Sequence, residues 1–317
     1  MKQELLKRIQ NEVQKVKNEA GEFNLLLSGG VDSSTLLGVA LSIGIEPDRI
    51  ISVRLPYGKA HDEFDDMLKV VAGFGLEHKL MVVSLDDSTI EEVLRKAVKI
   101  IGRPIPHYNI FPFYVLFEKL SKIGITSVVV GDGPDESMCG YARHIILKEI
   151  YQILGVDGYQ EYTDMIRKIL PSFVEAYATI INKDVSEIMT VVTDEKTRLN
   201  NLDLMCLVDM KLMRPDMMDM SHTLANHFGI RIFAPYEEPR VDEFMFKLDP
   251  EWKIKNYYGK YMLRHIATQL GVPKSVAWRR QKIGGPLVPV NKLMGWELSP
   301  YDKTRYIEFQ KEILNEN

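Results

Sequence analysis

The chain has 317 residues, of which 45% are hydrophobic and 26% are charged. This composition is typical of a globular protein and excludes a disordered or fibrous one. The length allows one large α/β unit or two domains that share a cleft. The formal net charge of −4 argues against nonspecific electrostatic binding of nucleic acid, so we expect no nucleic-acid partner.

The cysteine content and the N-terminal segment predict a cellular setting. Only Cys139 and Cys206 are present, which argues against a disulfide framework and favours a reducing compartment. Residues 1–21 are charged throughout and lack the apolar core of a signal peptide. No run approaches the roughly 20 apolar residues that would span a bilayer. We therefore expect a cytoplasmic protein with no membrane partner.

The chain begins with an amphipathic pattern. Apolar residues recur at spacings of three and four within residues 1–21, which predicts an N-terminal helix. From residue 22 to residue 145, short β-like runs then alternate with helical patterns. The predicted strands are residues 23–27, 50–55, 79–84 and 126–130.

This alternation predicts an α/β fold, a doubly wound parallel sheet with helices on both faces. In such sheets ligands bind beyond the carboxyl ends of the strands. Two polar stretches, residues 28–34 and 131–137, follow predicted strands and should meet at that edge. After residue 145 long amphipathic patterns dominate, so residues 146–317 predict a mostly helical region that completes the cleft.

Residues 28–34 read SGGVDSS and lead from a strand into a helix. Paired glycines let a backbone approach a ligand closely, and the hydroxyls of Ser33 and Ser34 add donors near a helix N-terminus, which favours anions. Asp32 would repel a phosphate, and its natural role is to hold a bridging Mg²⁺. A capped turn is the alternative for an isolated SGG. The lysine of a G-x-x-x-x-G-K-[ST] loop is absent, so this is not that phosphate loop.

Residues 131–141 read GDGPDESMCGY and place three carboxylates, Asp132, Asp135 and Glu136, within five positions. Such a concentration of like charge needs a cation or a raised pKa to be tolerated. The alternative is a solvated acidic turn. With the first motif at the same edge, the sequence favours a cation site.

The first stretch resembles the SGG-x-DS signature of the ATP pyrophosphatase (PP-loop) family. The second is similar to the G-E-G-x-D-E-x-x-x-G-Y block of asparagine synthetases and β-lactam synthetases. The resemblance implies a five-stranded, adenine nucleotide alpha hydrolase-like sheet, cleavage of ATP between its α and β phosphates, and adenylation of a substrate oxygen. Asp132 stands where the block has glutamate, a position beside the substrate, so this departure bears on the substrate. By this likeness ATP and pyrophosphate would be bound by Ser28, Gly29, Gly30, Asp32, Ser33, Ser34 and Gly131, and Mg²⁺ by Asp32 and Asp135.

Two later stretches look like the closing segment of the asparagine synthetase domain. They read GKYMLR at residues 259–264 and SVAWRRQK at residues 275–282. Lys260 and Lys282 match its phosphate-directed lysines, and a lysine there would stabilise charge building on the α-phosphorus. Residues 229–238 look like a stretched EVR-x-PFLD segment with Glu238 at the aspartate position, and residues 230–235 should skirt the cleft. Val53 and the backbone of Leu55 are expected to face adenine.

The leading hypothesis is an ATP-dependent amide-forming ligase, similar to asparagine synthetase. It would adenylate a carboxylate substrate, aspartate by default, release pyrophosphate and transfer ammonia or an amine. Lys282 would stabilise the transition state, and Asp132 or Glu136 would accept the proton shed by the attacking nitrogen. The chain starts Met1-Lys2-Gln3, without the N-terminal cysteine of glutamine-using relatives. The nitrogen donor is therefore expected to be free ammonia, a substrate amine, or ammonia from a separate glutaminase subunit. The sequence leaves open whether the chain forms a homo-oligomer.

Two other functions compete with this hypothesis. A PP-loop enzyme that adenylates a tRNA base, for transfer of sulfur or an amine, usually has a basic extension or paired cysteines, and the sequence shows neither. A non-catalytic nucleotide-binding subunit needs phosphate contacts but not the chemistry. The presence of Asp32, Asp135 and Lys282 weighs against that second alternative.

Overall fold

The structure is a computed structural model. It describes residues 1–54, 63–84, 90–194, 200–280, 288–298 and 302–316. Within these residues, a single parallel sheet has the strand order β3-β2-β1-β4-β5. The prediction of a doubly wound α/β fold is confirmed. The strands are β1 (Asn24–Leu26), β2 (Arg49–Arg54), β3 (Leu80–Ser84), β4 (Ser127–Val129) and β5 (Arg231–Phe233).

Four strands lie where the hydrophobic runs predicted them, and the fifth does not. β5 (Arg231–Phe233) follows residue 145, in the region for which the sequence predicted helices, and it pairs with β4. Arg231 interrupts the apolar run at this point, so no continuous hydrophobic stretch marks the strand, and its pairing with β4 is set by tertiary structure. The division of the chain at residue 145 stays a prediction.

Helices cover both faces of the sheet because neighbouring strand residues point to opposite sides. Ile50 packs in one buried core with helices α1 (Lys2–Ala20), α2 (Val31–Ser42) and α14 (Tyr261–Gln269), whereas Ile51 packs in a second core with α4 (Ile90–Ile101), α5 (Ile110–Lys122) and α17 (Thr304–Asn315). Long hydrophobic runs in the strands are explained by this two-sided burial. The helices that lie before residue 140 are α1 (Lys2–Ala20), α2 (Val31–Ser42), α3 (Phe64–Phe74), α4 (Ile90–Ile101), α5 (Ile110–Lys122) and α6 (Pro134–Ser137), with a 3₁₀ turn at Glu77–Lys79.

The second half of the chain is mostly helical. Its longest helix among the described residues, α8 (Tyr151–Ile181), bends at Gly155, which has φ 70° and ψ −172°. None of the helices within the described ranges is both long and apolar enough to cross a lipid bilayer. The helices are α7 (Ala142–Glu149), α8 (Tyr151–Ile181), α9 (Ser186–Thr193), α10 (Asn201–Val208), a π-helical turn (Asp209–Met213), α11 (Arg214–His227), α12 (Pro239–Phe246), α13 (Pro250–Lys253), α14 (Tyr261–Gln269), α15 (Lys274–Ala277), α16 (Val290–Leu293) and α17 (Thr304–Asn315).

Candidate active site

The loop between β1 and α2 is closed by its own serines and glycines. The Ser28 hydroxyl lies 3.1 Å from the Ser33 hydroxyl and accepts a hydrogen bond of 3.2 Å from the amide of Gly30. Gly29 has φ 89°, and a Cβ atom there would lie 2.5 Å from the carbonyl oxygen of Glu63. Only glycine fits this position, because the backbone at the start of α3 packs directly against the loop.

The start of α2 has the features of an anion site. Its N-cap, Gly30, offers no side chain to the amides of the first turn, and such amides favour a negative charge. The Ser34 hydroxyl is buried, and within the described residues it has no hydrogen-bond partner. A phosphate oxygen would satisfy these donors, so the donor set fits the ATP phosphates that the sequence predicted here.

The loop after β4 lies directly against the loop after β1. A Cβ atom on Gly131 would lie 2.8 Å from the amide nitrogen of Ser33, so the two backbones touch. In this second loop Asp132 is exposed, whereas Glu136 is buried. The structure thus brings the two predicted motifs together at the carboxyl edge of the sheet.

Asp32 and Asp135 converge on a single cation, the ammonium group of Lys260. The Lys260 Nζ atom lies 2.7 Å from Asp135 Oδ1 and forms a second ion pair with Asp32. Burial alone would lower the pKa of Lys260, but the two carboxylates outweigh it and raise the pKa above 10.5. One positive charge therefore contacts both predicted metal ligands at once. Carboxylate oxygens are also the ligands that Mg²⁺ prefers, so the pair fits that ion.

Two glycines allow Lys260 to reach this position. A Cβ atom on Gly140 would lie 1.9 Å from Asp135 Oδ1 and 2.1 Å from the Cε atom of Lys260, and one on Gly259 would lie 2.2 Å from the carbonyl oxygen of Cys139. The resemblance implied a phosphate contact for Lys260. In the structure its partners are the two acids, and the phosphate contact stays a prediction.

Arg264 links the two stretches of the closing segment, residues 259–264 and the part that begins at residue 275, by hydrogen bonds. Its guanidinium donates to the carbonyl oxygens of Gly259, Ala277 and Arg279 at 2.7, 2.7 and 3.1 Å. Arg279 in turn forms an ion pair of 2.6 Å with Asp66 on α3. The segment that leads towards position 282 is thus held beside the phosphate loop.

Two of the predicted site residues cannot be placed, and a third lies at the expected edge. Lys282, predicted to be catalytic, and Leu55, predicted to face adenine, lie outside the described residues. Val53 is half-buried next to the last residue of β2, at the carboxyl edge where an adenine would bind.

Glu237 is a candidate functional residue that the sequence reasoning missed. A Cβ atom on Gly133 would lie 3.0 Å from the Glu237 Cγ atom, so this side chain adjoins the acidic loop. Its two carboxylate oxygens are buried and have no hydrogen-bond partner among the described residues. Burial, and then the charge of Asp132, raise the pKa of Glu237 to about 8. The available signal was the PYEE sequence at residues 235–238, which has a second carboxylate where the PFLD segment has leucine.

Glu136 and Tyr141 form a hydrogen-bonded pair within the acidic motif. The Tyr141 hydroxyl donates to Glu136, and burial raises the pKa of Tyr141 well above its ordinary value. The phenol therefore stays protonated and keeps its donor role. Of the two predicted proton acceptors, Asp132 faces solvent and Glu136 is held by Tyr141.

The two cysteines are paired in space, which the sequence did not indicate. Cys139 and Cys206 are buried, and their sulfur atoms lie 3.3 Å apart. The lack of paired cysteines therefore no longer argues against a sulfur-transferring enzyme. Their burial does, because a sulfur carrier must reach its substrate.

A parallel sheet with a serine- and glycine-rich loop after β1 and an acidic loop after β4 is consistent with a domain of the PP-loop ATP pyrophosphatase type. The chain belongs to the asparagine synthase family, whose profile matches residues 4–306. No curated protein sequence matches it. Family membership supports an ATP-dependent, amide-forming ligase of the asparagine synthetase type.

Proposed function

We propose that the protein forms an amide by activating a carboxylate with Mg²⁺ and ATP, and that it releases AMP and pyrophosphate. Aspartate is the default carboxylate, and ammonia or an amine is the nitrogen donor. The observation that supports this proposal is the convergence of Asp32 and Asp135 on one cation. Two carboxylates from the loops after β1 and β4 are then available to one metal ion at the edge where nucleotides bind.

The first half-reaction would use the groups around the phosphate loop. Amides of the first turn of α2 and the hydroxyls of Ser33 and Ser34 would hold the leaving pyrophosphate. Mg²⁺ bound by Asp32 and Asp135 would neutralise charge on the triphosphate. Lys260 adds a buried positive charge beside the same oxygens, and charge stabilisation of this kind supplies most of the rate in such steps.

The second half-reaction would use Asp132 of the acidic loop and Glu237, which adjoins that loop at Gly133. Asp132 and Glu237 are close enough for the Asp132 charge to raise the pKa of Glu237. A site between two carboxylates favours an ammonium ion or a protonated amine. Asp132, which is exposed, would then take the proton that the attacking nitrogen sheds. Glu136 is the second candidate for this role.

The test is an assay of AMP and pyrophosphate with a panel of amino acids and ammonium. We expect both products to depend on one carboxylate and on a nitrogen donor, with aspartate and ammonium as the first pair. Release that depends on added tRNA instead would favour the tRNA-modifying enzyme. Nucleotide binding without cleavage under every condition would favour the non-catalytic subunit. Glutamine without a partner protein tests whether a separate glutaminase subunit is needed.

Variants of the two acids test the site itself. Asp32→Asn and Asp135→Asn should each lower pyrophosphate release about 100-fold or more, because the charge on the phosphates is no longer matched. Asp157→Asn, at an exposed position on α8, is the matched control and should leave the rate unchanged. An Asp32→Asn protein with wild-type activity would contradict the proposed site.

A further inference from the structure

A second cluster of metal-ligating side chains lies outside the candidate active site. Ligand atoms of Cys139, His144 and Cys206 all lie within 4.8 Å of one another, and the three side chains are fully buried. Cys139 follows α6, His144 lies on α7 and Cys206 lies on α10. The cluster therefore connects the segment after α6 with helices α7 and α10.

The imidazole of His144 has the hydrogen bonding of a metal ligand. Its Nε2 atom lies 2.7 Å from Asp209 Oδ2, and its buried Nδ1 atom has no hydrogen-bond partner in the described part of the chain. Ligating histidines commonly bind a carboxylate through one ring nitrogen and the ion through the other. A buried nitrogen without a partner costs free energy, and an ion bound to it would remove that cost.

The charges around the cluster would balance a bound ion. Arg143 Nη2 lies 2.7 Å from Asp209 Oδ2, and the buried Lys253 lies 2.9 Å from Asp203, so these pairs are neutral together. When a divalent ion binds two thiols as thiolates, the two protons are released to solvent and the net charge of the site does not change.

We propose that Cys139, His144 and Cys206 bind a thiophilic transition-metal ion of the Zn²⁺ class, through both thiolates and the His144 Nδ1 atom. Thiolate and imidazole ligands select such ions over Mg²⁺. The two sulfurs lie 3.3 Å apart, close to the roughly 3.8 Å that two Zn–S bonds subtend at a tetrahedral angle. Three protein ligands leave the fourth position to a small ligand such as water.

The ion would act on structure rather than on the amide-forming chemistry. Cys139 directly precedes Gly140, the glycine that packs against Asp135 and Lys260. An ion bound by Cys139, by His144 on α7 and by Cys206 on α10 would link this end of the acidic loop to those two helices. We therefore expect metal binding to raise the melting temperature, and this expectation does not depend on which substrate the enzyme uses.

The experiment uses the full chain without a histidine tag, reduced and treated with a chelator. Because the chain has no cysteines besides Cys139 and Cys206, a thiolate-to-Co²⁺ charge-transfer band reports on this cluster alone. We expect Co²⁺ to give that band together with the visible bands of a tetrahedral ion. Zn²⁺ should abolish both, bind with one ion per chain and raise the melting temperature.

Three variants make the test specific. Cys206→Ser should remove the charge-transfer band, and Asp209→Asn, which alters a positioning residue, should weaken Zn²⁺ binding about 10- to 100-fold. His78→Asn changes an exposed histidine and should bind metal like the wild type. Circular dichroism checks that each variant is folded.

Three results would overturn the proposal. The first is reduced wild-type protein that gives no thiolate band with Co²⁺. The second is equal Zn²⁺ binding by the wild type and Cys206→Ser, which would place the ion on other groups. The third is purified protein that is metal-free and lighter by two hydrogen atoms, which would show that the pair forms a disulfide instead.

Discussion

Gly131 packs against the backbone of Ser33, so that a Cβ atom at position 131 would lie 2.8 Å from the Ser33 amide nitrogen and 2.9 Å from its Cα atom. The contact exists because β1 and β4 are neighbours in the sheet, and the loops that follow them leave from the same edge. Both proposed metal ligands follow these loops directly, Asp32 in the first turn of α2 and Asp135 in α6. The distance between the ligands is therefore set by a backbone contact that tolerates no side chain.

Gly131→Ala should separate the two loops. The added methyl group meets backbone atoms that cannot turn away, so we expect pyrophosphate release to fall about 100-fold, as reactive groups lose their alignment. The control is Gly44→Ala, where φ is 76° but no atom lies within 4 Å of the added Cβ. That variant should lose about 1–2 kcal/mol of stability from backbone strain and keep its activity. Equal activity losses in the two variants would contradict the steric argument.

Lys260→Met should make the stability of the nucleotide-free protein depend on a divalent cation. Removing the ammonium takes away the positive charge that pairs with both Asp32 and Asp135 in a partly buried site, and we expect a loss of about 3 kcal/mol of stability. Mg²⁺ should then raise the melting temperature of the variant more than that of the wild type, because it replaces the missing charge. Thermal unfolding with and without Mg²⁺ measures both effects.

Lys253→Met is the matched control for this experiment. Lys253 is as buried as Lys260, but its carboxylate partner is Asp203, 2.9 Å away. The variant should also be destabilised, and Mg²⁺ should not rescue it. An equal Mg²⁺ response in the Lys253 and Lys260 variants would place the ion away from Asp32 and Asp135.

The sequence predicted the framework of the site because its signals are local. The run that ends at Leu27 and the string SGGVDSS after it place a strand, a tight loop and a helix N-terminus in succession. The same holds for the run before Gly131. Where local pattern and chain direction decide a feature, as for the edge at which Asp32 and Asp135 meet, sequence reasoning was sufficient.

Features that depend on contacts between distant segments were not predictable in this way. The pairing of Cys139 with Cys206 and of Lys260 with the two acids requires knowing how α10 and α14 pack. The burial of the Glu237 oxygens depends on Gly133, whose lack of a side chain leaves room for the Glu237 side chain. A sequence identifies these residue types, but only the packing decides which of them share a site.

Arg279→Gln should reduce activity by misplacing the segment that leads to Lys282. The Arg279 guanidinium pairs with Glu63 and Asp66 at the start of α3, next to the phosphate loop. We expect the rate of pyrophosphate release to fall about 10- to 100-fold, with less effect on KM for the carboxylate. Arg280→Gln is the control, since Arg280 is exposed and donates only a 3.2 Å bond to the Tyr258 hydroxyl among the contacts described. Equal losses in both variants would argue against a positioning role.

Glu237→Gln should change how stability depends on pH. The pKa of Glu237 is raised from 4.5 to about 8 by burial and by Asp132, so the folded state binds a proton that the unfolded state has released. Stability of the wild type is therefore lost as the pH rises from about 5 to about 8, whereas glutamine has no proton to lose. The variant should gain on the order of 1–3 kcal/mol relative to the wild type across that window, and no more above it.

Melting temperatures of both proteins from about pH 5 to about pH 9 measure this gain. The control is Glu238→Gln, because the neighbouring carboxylate is exposed and pairs with Lys15 at 3.2 Å, where water already stabilises its charge. Its melting temperature should follow the wild-type pH profile. If the melting temperatures of the Glu237 and Glu238 variants depend on pH in the same way, the buried carboxyl beside Asp132 does not carry the extra proton. The proposed role of Glu237 in binding the nitrogen donor would then lose its support.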